Sequence, residues 1–187
     1  MTDTMTRNIV NDLDVDALTQ MVGEIAADPS KAPARFGVTT RWTGQTRSES
    51  IVHSIEVGGE KIDRSFKIVA DEPEELLGAN SAPNPQELLL SALNACMTVG
   101  YVAGAAVRGI TLSQLEIETT GELDLRGFLD LSDSVAPGYP VIDYIVRIAG
   151  DDTAEQFEEI HASVMATSPN YDNIARAIRM NGRLELV

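Results

Sequence analysis

Apolar positions recur at helical spacing between residues 15 and 27, where Val15, Leu18, Met21, Val22 and Ile25 share one face. Asp14 is placed to cap this helix and "DPSKAP" to end it. The pattern then changes period. Phe36, Val38, Thr40 and Trp42 alternate with Gly37, Thr39 and Arg41, as in a half-buried strand. "VGGEK" parts "SIVHSIEV" from "KIDRSFKIV", which predicts a hairpin.

A long helix follows. Asn84 can cap it, Pro85 suits its first turn, and Gly109 stands where a C-terminal glycine belongs. Leu88 to Val107 carry no charge, a run matching the roughly 20 residues of a membrane span. Ser91, Asn94, Thr98 and Tyr101 interrupt it, and no basic cluster flanks it. The expectation is a helix buried on all sides of a globular fold, with Gly100 and Gly104 allowing close packing.

Beyond it, "TLSQLEIETTGELDLRGFLDL" and "PVIDYIVRIAG" alternate as strands, joined by "SDSVAPGYP". Thr153 and Gln156 form a capping-box pattern ahead of a stripe of Phe157, Ile160, Val164 and Met165. His161 lies out of step with that stripe and reads as exposed. "SPNYDNIARAIRM" restarts a helix with Ser168 as N-cap and Pro169 at its first position, and "GRLELV" closes the chain as a short strand. The order is helix, sheet, long helix, sheet, helix pair, strand, which is an α+β fold.

Composition narrows the function. Of 187 residues, 43% are hydrophobic and 23% charged, an ordinary globular mixture. The excess of 29 acids over 14 bases gives −15, which opposes binding to nucleic acid or to anionic membranes. His53 and His161 are too scattered for a metal site, and one cysteine excludes an intrachain disulfide. No glycine-rich phosphate loop or dinucleotide fingerprint is present, so no cofactor is expected. "MTDTMTRNIVNDLDVD" lacks the apolar centre of a secretory signal. A cytoplasmic location is the simplest expectation.

The single cysteine, Cys96, lies within the long apolar helix. Its immediate neighbours favour a small buried hydrophobe, because apolar surroundings keep a thiol protonated and unreactive.

"NPQELLLSALNAC", followed by "SPNYDNI", resembles the OsmC/Ohr family of thiol-dependent hydroperoxide reductases. The resemblance spans roughly residues 36 to 187. It implies an OsmC-like domain over residues 31–187, antiparallel sheets around a long central helix, and an intertwined homodimer. Residues 1–30 then form a helical extension. The resemblance further implies that Cys96 is the peroxidatic thiol, aided by an arginine that an acidic residue orients. A permanent, planar guanidinium suits that task. Arg47 matches the arginine best, with Arg41 second. The acidic position falls on Gln86 by one family spacing and on Glu87 by another. The family's second, resolving cysteine is replaced by Ser168, so an external thiol would have to regenerate the enzyme. For Ser168 itself a plain N-cap is the simpler role.

Gln86 and Glu87 lie nearly 15 Å along the helix from Cys96, too far to touch it within one chain. Two copies packed antiparallel near Ser91, through Ser91, Ala92 and Ala95, would bring residue 86 of one opposite residue 96 of the other. The implied function is one-cysteine reduction of organic or small hydroperoxides. The alternative is a catalytically silent dimer binding a small apolar ligand at its interface. Tyr101 and Tyr171 are candidates to line that pocket.

Overall fold

The computed structural model describes residues 7–186. They form two compact units that divide between Ser91 and Ala92, within the long helix.

In the first unit, β1 (Ile9–Val10) and β2 (Leu13–Asp14) make a two-residue hairpin. Asn11 and Asp12 turn it in left-handed conformations, which their short polar side chains tolerate. Asp14 then caps α1 (Val15–Ala27), accepting from the amide of Ala17 at 3.0 Å. After a single 3₁₀ turn come β3 (Ala34–Arg35), β4 (Val38–Gly44), β5 (Arg47–Val52), β6 (Ile55–Val57), β7 (Glu60–Ile62) and β8 (Lys67–Ala70). They pair antiparallel in two three-stranded sheets, β3-β6-β7 and β4-β5-β8. The expected hairpin is β6–β7, turned by Gly58 and Gly59 at positive φ.

The strand expected near Trp42 forms, but it is not half-buried. Val38 and Trp42 remain 58% and 76% exposed, and six of the seven residues of β4 are exposed. Below the sheet's end, the buried carboxylate of Asp71 ties the loop to the β4–β5 turn. It accepts from Thr46 Oγ1, from the amide and hydroxyl of Ser81, and from the amide of Glu72. Those bonds, the Ser81 hydroxyl foremost, hold its pKa far below the usual carboxylate range.

α2 (Pro85–Ala106) starts with a reciprocal capping box. The amide of Glu87 donates to Asn84 Oδ1, and the Glu87 carboxylate accepts from the Asn84 amide, both at 2.8 Å. It ends as a Schellman turn. Ile110 N–H reaches the Ala105 carbonyl, Gly109 N–H reaches that of Ala106, and Gly109 supplies the left-handed residue. The helix is not buried on all sides. Leu93, Met97, Tyr101 and Ala105 lie on one buried stripe, while Leu89, Val99 and Val107 are exposed.

In the second unit that stripe packs against β9 (Leu112–Gly121), β10 (Ile142–Gly150), α4 (Ala154–Thr167) and α5 (Pro169–Ala175). β9 and β10 are antiparallel and alternate inward and outward along most of their length. The glycine pair does what its spacing predicted. A Cβ at Gly100 would meet Val164 at 3.1 Å, and one at Gly104 would meet Ile160 at 3.2 Å. The α2–α4 contact therefore depends on bare backbone at both positions.

Two expectations about this unit are overturned. The strand read through residue 131 stops at Gly121, and a short helix α3 (Leu125–Phe128) follows. Asp124 caps it by accepting from the amide of Arg126. The closing strand is also absent: residues 176–186 have no regular structure, and Met180, Leu184 and Leu186 lie exposed. Among the described residues no strand pairs with this segment, and a strand without a ladder partner has nowhere to place its amides.

Candidate functional site

Cys96 sits midway along α2, half-buried, on the flank of the core stripe. Folding brings Ser168 to it across 72 positions of sequence. The serine hydroxyl donates to the sulfur at 3.4 Å, and Ser168 itself is 4% exposed. The same Oγ accepts from the amide of Tyr171 at 3.5 Å, so the predicted N-cap of α5 forms and also faces the thiol. One turn away, Asn170 Nδ2 donates to the Ala92 carbonyl at 2.8 Å. Asn94 fixes the other side of α2 to β9, donating to Ile117 O and accepting from Thr119 Oγ1. The cysteine is thus held by a frame of side-chain-to-backbone bonds on both flanks.

The remaining candidates belong to the first unit. Arg47 opens β5 and pairs with the carboxylate of Glu49 at 3.3 Å. Arg41 is opposite Glu49 in the β4–β5 register, so Arg41, Glu49 and Arg47 share one sheet face and Trp42 takes the other. Gln86 and Glu87 occupy the first turn of α2, and the Glu87 carboxylate is engaged in capping that helix. Among the described residues no cluster of three or more metal-ligating side chains occurs.

His161 is not the exposed residue expected. Its Nδ1 and the Tyr101 hydroxyl are hydrogen-bonded at 2.5 Å, and Tyr101 is fully buried. Burial pushes the Tyr101 pKa up to about 12. The stripe of α4 is wider than Ile160 and Val164 alone, and His161 joins it one turn after Phe157. The spacing from Phe157 was the available signal for it. Asn170 carried no such signal.

Two cavities flank β10. One of about 300 Å³ is lined by Leu93, Tyr139, Ile142, Tyr144, Tyr171 and Ile174. The other, about 400 Å³, lies against Tyr101, Tyr144, Phe157 and His161. Tyr171 and Tyr101 line one cavity each, and Tyr144 borders both.

These features place the chain in a class: mixed helix and antiparallel sheet, with a thiol midway along the long helix. It belongs to the OsmC-like protein family, whose model matches residues 78–181, more than half of the sequence. Among solved structures it is similar to an OsmC-like protein from Mycoplasma pneumoniae. They share 18% identity with a TM-score of 0.60, over 75% of this chain and 87% of that one. It is also similar to an osmotic stress and detoxification response protein from Psychrobacter arcticus, at 16% identity and TM-score 0.55, over 72% and 85%. A third is an OsmC-like protein from Vibrio cholerae, at 15% identity and TM-score 0.54, over 74% and 92%. Likeness at these identities concerns the fold. No curated protein matches the chain.

Proposed function

We propose that the protein is a one-cysteine hydroperoxide reductase with a role in peroxide stress. The observation that carries this reading is the Ser168 hydroxyl donating to the Cys96 sulfur. The thiolate is the attacking species in peroxide chemistry, and this hydroxyl stands within hydrogen-bonding distance of the sulfur that would carry the charge. The resolving position of the family pattern thus stands beside the thiol, occupied by a group that cannot form a disulfide.

In the proposed cycle the Cys96 thiolate attacks the outer oxygen of ROOH. An S–O bond forms, the O–O bond breaks, and the alkoxide leaves and takes up a proton as ROH. The sulfur is oxidised to a sulfenic acid. An external thiol then attacks that sulfur, releasing water and leaving a mixed disulfide. A second external thiol attacks the mixed disulfide, freeing Cys96 and carrying away the oxidised reductant. Arg47 is assigned to polarise the peroxide, with Arg41 as its substitute. Glu87 or Gln86 is assigned to orient the arginine within a homodimer of antiparallel central helices. The exposed apolar face of α2 supports such a pairing. A cytoplasmic, reducing compartment supplies the thiols.

The test is consumption of an organic hydroperoxide with dithiols or monothiols as reductant. Wild type turns over and Cys96→Ser does not; equal rates would remove the enzyme reading. Light scattering at micromolar concentration gives a dimer; a monomer would contradict the assembly. A second reading, a silent dimer binding a small apolar ligand, draws on the serine at position 168 and the cavity of about 300 Å³ beside Leu93, Ile142 and Ile174. Saturable ligand binding with no peroxide turnover would favour it.

A further inference from the structure

The Tyr101–His161 pair lies at a cleft that peroxide chemistry does not use. Tyr144, Val146 and Ile148 of β10 form one wall, and Phe157, Glu158 and His161 of α4 the other. Its volume of about 400 Å³ falls in the range of small-molecule sites. The walls are mainly apolar. Two side chains at the α4 wall can make polar contacts, His161 and Glu158, three residues apart and so on one helix face.

Tyr101 decides what His161 can offer. The tyrosine is fully buried, and its hydroxyl keeps its proton well past neutral pH. With that hydroxyl donating, Nδ1 is the acceptor and the ring proton resides on Nε2. Among the described residues no hydrogen bond engages Nε2. Stacking on Tyr101 and tilted contact with Tyr144 hold the ring in place. With the tyrosine as donor, the cleft presents an N–H donor at His161, and Glu158 on the same helix face supplies an acceptor to its lining.

We propose that this cleft binds a neutral aromatic molecule bearing a hydroxyl, a phenol or aryl alcohol. The hydroxyl oxygen accepts from His161 Nε2–H, and the hydroxyl proton is donated to Glu158. The ring lies among Tyr144, Val146, Ile148 and Phe157. Competing classes satisfy the two groups less well. A carboxylate ligand is repelled by Glu158, an ammonium has no acceptor for Nε2–H, and a hydrocarbon leaves both groups unmet. The inference is independent of the peroxide reading, because neither Cys96 nor Ser168 lines the cleft.

The probe is 4-methylphenol, titrated into the full chain while ¹H–¹⁵N spectra are recorded. Saturable shifts at residues of β10 and α4 are expected, with a dissociation constant on the order of 1 mM. Toluene, of the same shape without the hydroxyl, binds about tenfold weaker or more. His161→Phe weakens 4-methylphenol by a similar factor, and Cys96→Ser leaves its binding unchanged. Long-range imidazole spectra of the wild type show the His161 proton on Nε2, and Tyr101→Phe yields a mixture of tautomers. Absence of saturable shifts, equal binding of toluene, a proton on Nδ1, or loss of binding in Cys96→Ser would each overturn the proposal. The toluene and tautomer experiments need only the wild-type protein, so misfolding of a variant does not shelter it.

Discussion

Ser168 caps α5 and donates a hydrogen bond to the sulfur of Cys96 at 3.4 Å, so one hydroxyl serves both a helix terminus and a thiol. Ser168→Ala therefore has two effects. Loss of the cap costs about 1 kcal/mol of stability, measurable by denaturant unfolding. Loss of the donor slows alkylation of Cys96 at neutral pH, measurable with iodoacetamide under native conditions.

Ser168→Cys tests the same geometry in the opposite direction. The oxygen it replaces stands 3.4 Å from the Cys96 sulfur, so a thiol there would start close to the roughly 2 Å bond length of a disulfide. After one equivalent of hydroperoxide, the variant is expected to lose two hydrogens by intact mass and to have no titratable thiol. The wild type under the same treatment gains oxygen instead.

The α2–α4 contact gives the largest effects on stability. Ile160 is fully buried against Gly104, and Val164 is nearly so against Gly100. Ile160→Ala is expected to cost about 2–5 kcal/mol by opening a cavity. Gly100→Leu is expected to cost about 1–3 kcal/mol by overpacking. Urea unfolding of both variants measures the differences, and small values for both would place the core elsewhere.

Tyr101 sets a limit at alkaline pH. Its folded pKa of about 12 exceeds the ordinary phenol value of 10.0, so the folded state holds this proton more tightly than the unfolded state does. The associated stability is complete below about pH 10 and is lost as pH rises toward 12. Thermal unfolding across that range should show a decline that Tyr101→Phe reduces. Phenolate absorbance should show one tyrosine ionising last.

Asp71 acts at the opposite end of the scale. Its hydrogen bonds from Ser81, Thr46 and Glu72 depress the folded pKa. The stability it contributes is present above the unfolded value near 3.9 and is lost as pH falls below it. Asp71→Asn is expected to lower Tm at pH 7, with the gap to wild type narrowing below about pH 4. A gap independent of pH would show that the carboxylate charge plays no part.

Local signals were legible wherever a few neighbouring residues suffice. Asp14, Asn84, Thr153 and Ser168 all cap the helices expected of them, because a cap is a contact within one turn. The glycine spacing in α2 announced a close neighbour, though not that Ile160 and Val164 would be that neighbour. Errors arose where a pattern needs a distant partner. "GRLELV" alternates correctly but among the described residues no strand meets residues 176–186, and Trp42 alternates correctly but stays 76% exposed. His161 was misplaced because its burial depends on Tyr101, which lies 60 positions away.

The long helix, the strands that flank it, the main helix caps, and the membership announced by "NPQELLLSALNAC" and "SPNYDNI" follow from the linear string, since each rests on short-range periodicity or on the motifs themselves; α3 and the irregular end of the chain do not. That a hydroxyl faces the lone thiol, that a phenol holds an imidazole at a cleft, and that one stripe of α2 is buried while its other face is bare could be learned only after folding. Those relations join residues that chain order keeps apart, and packing of α4 and α5 onto α2 is what brings them within bonding range.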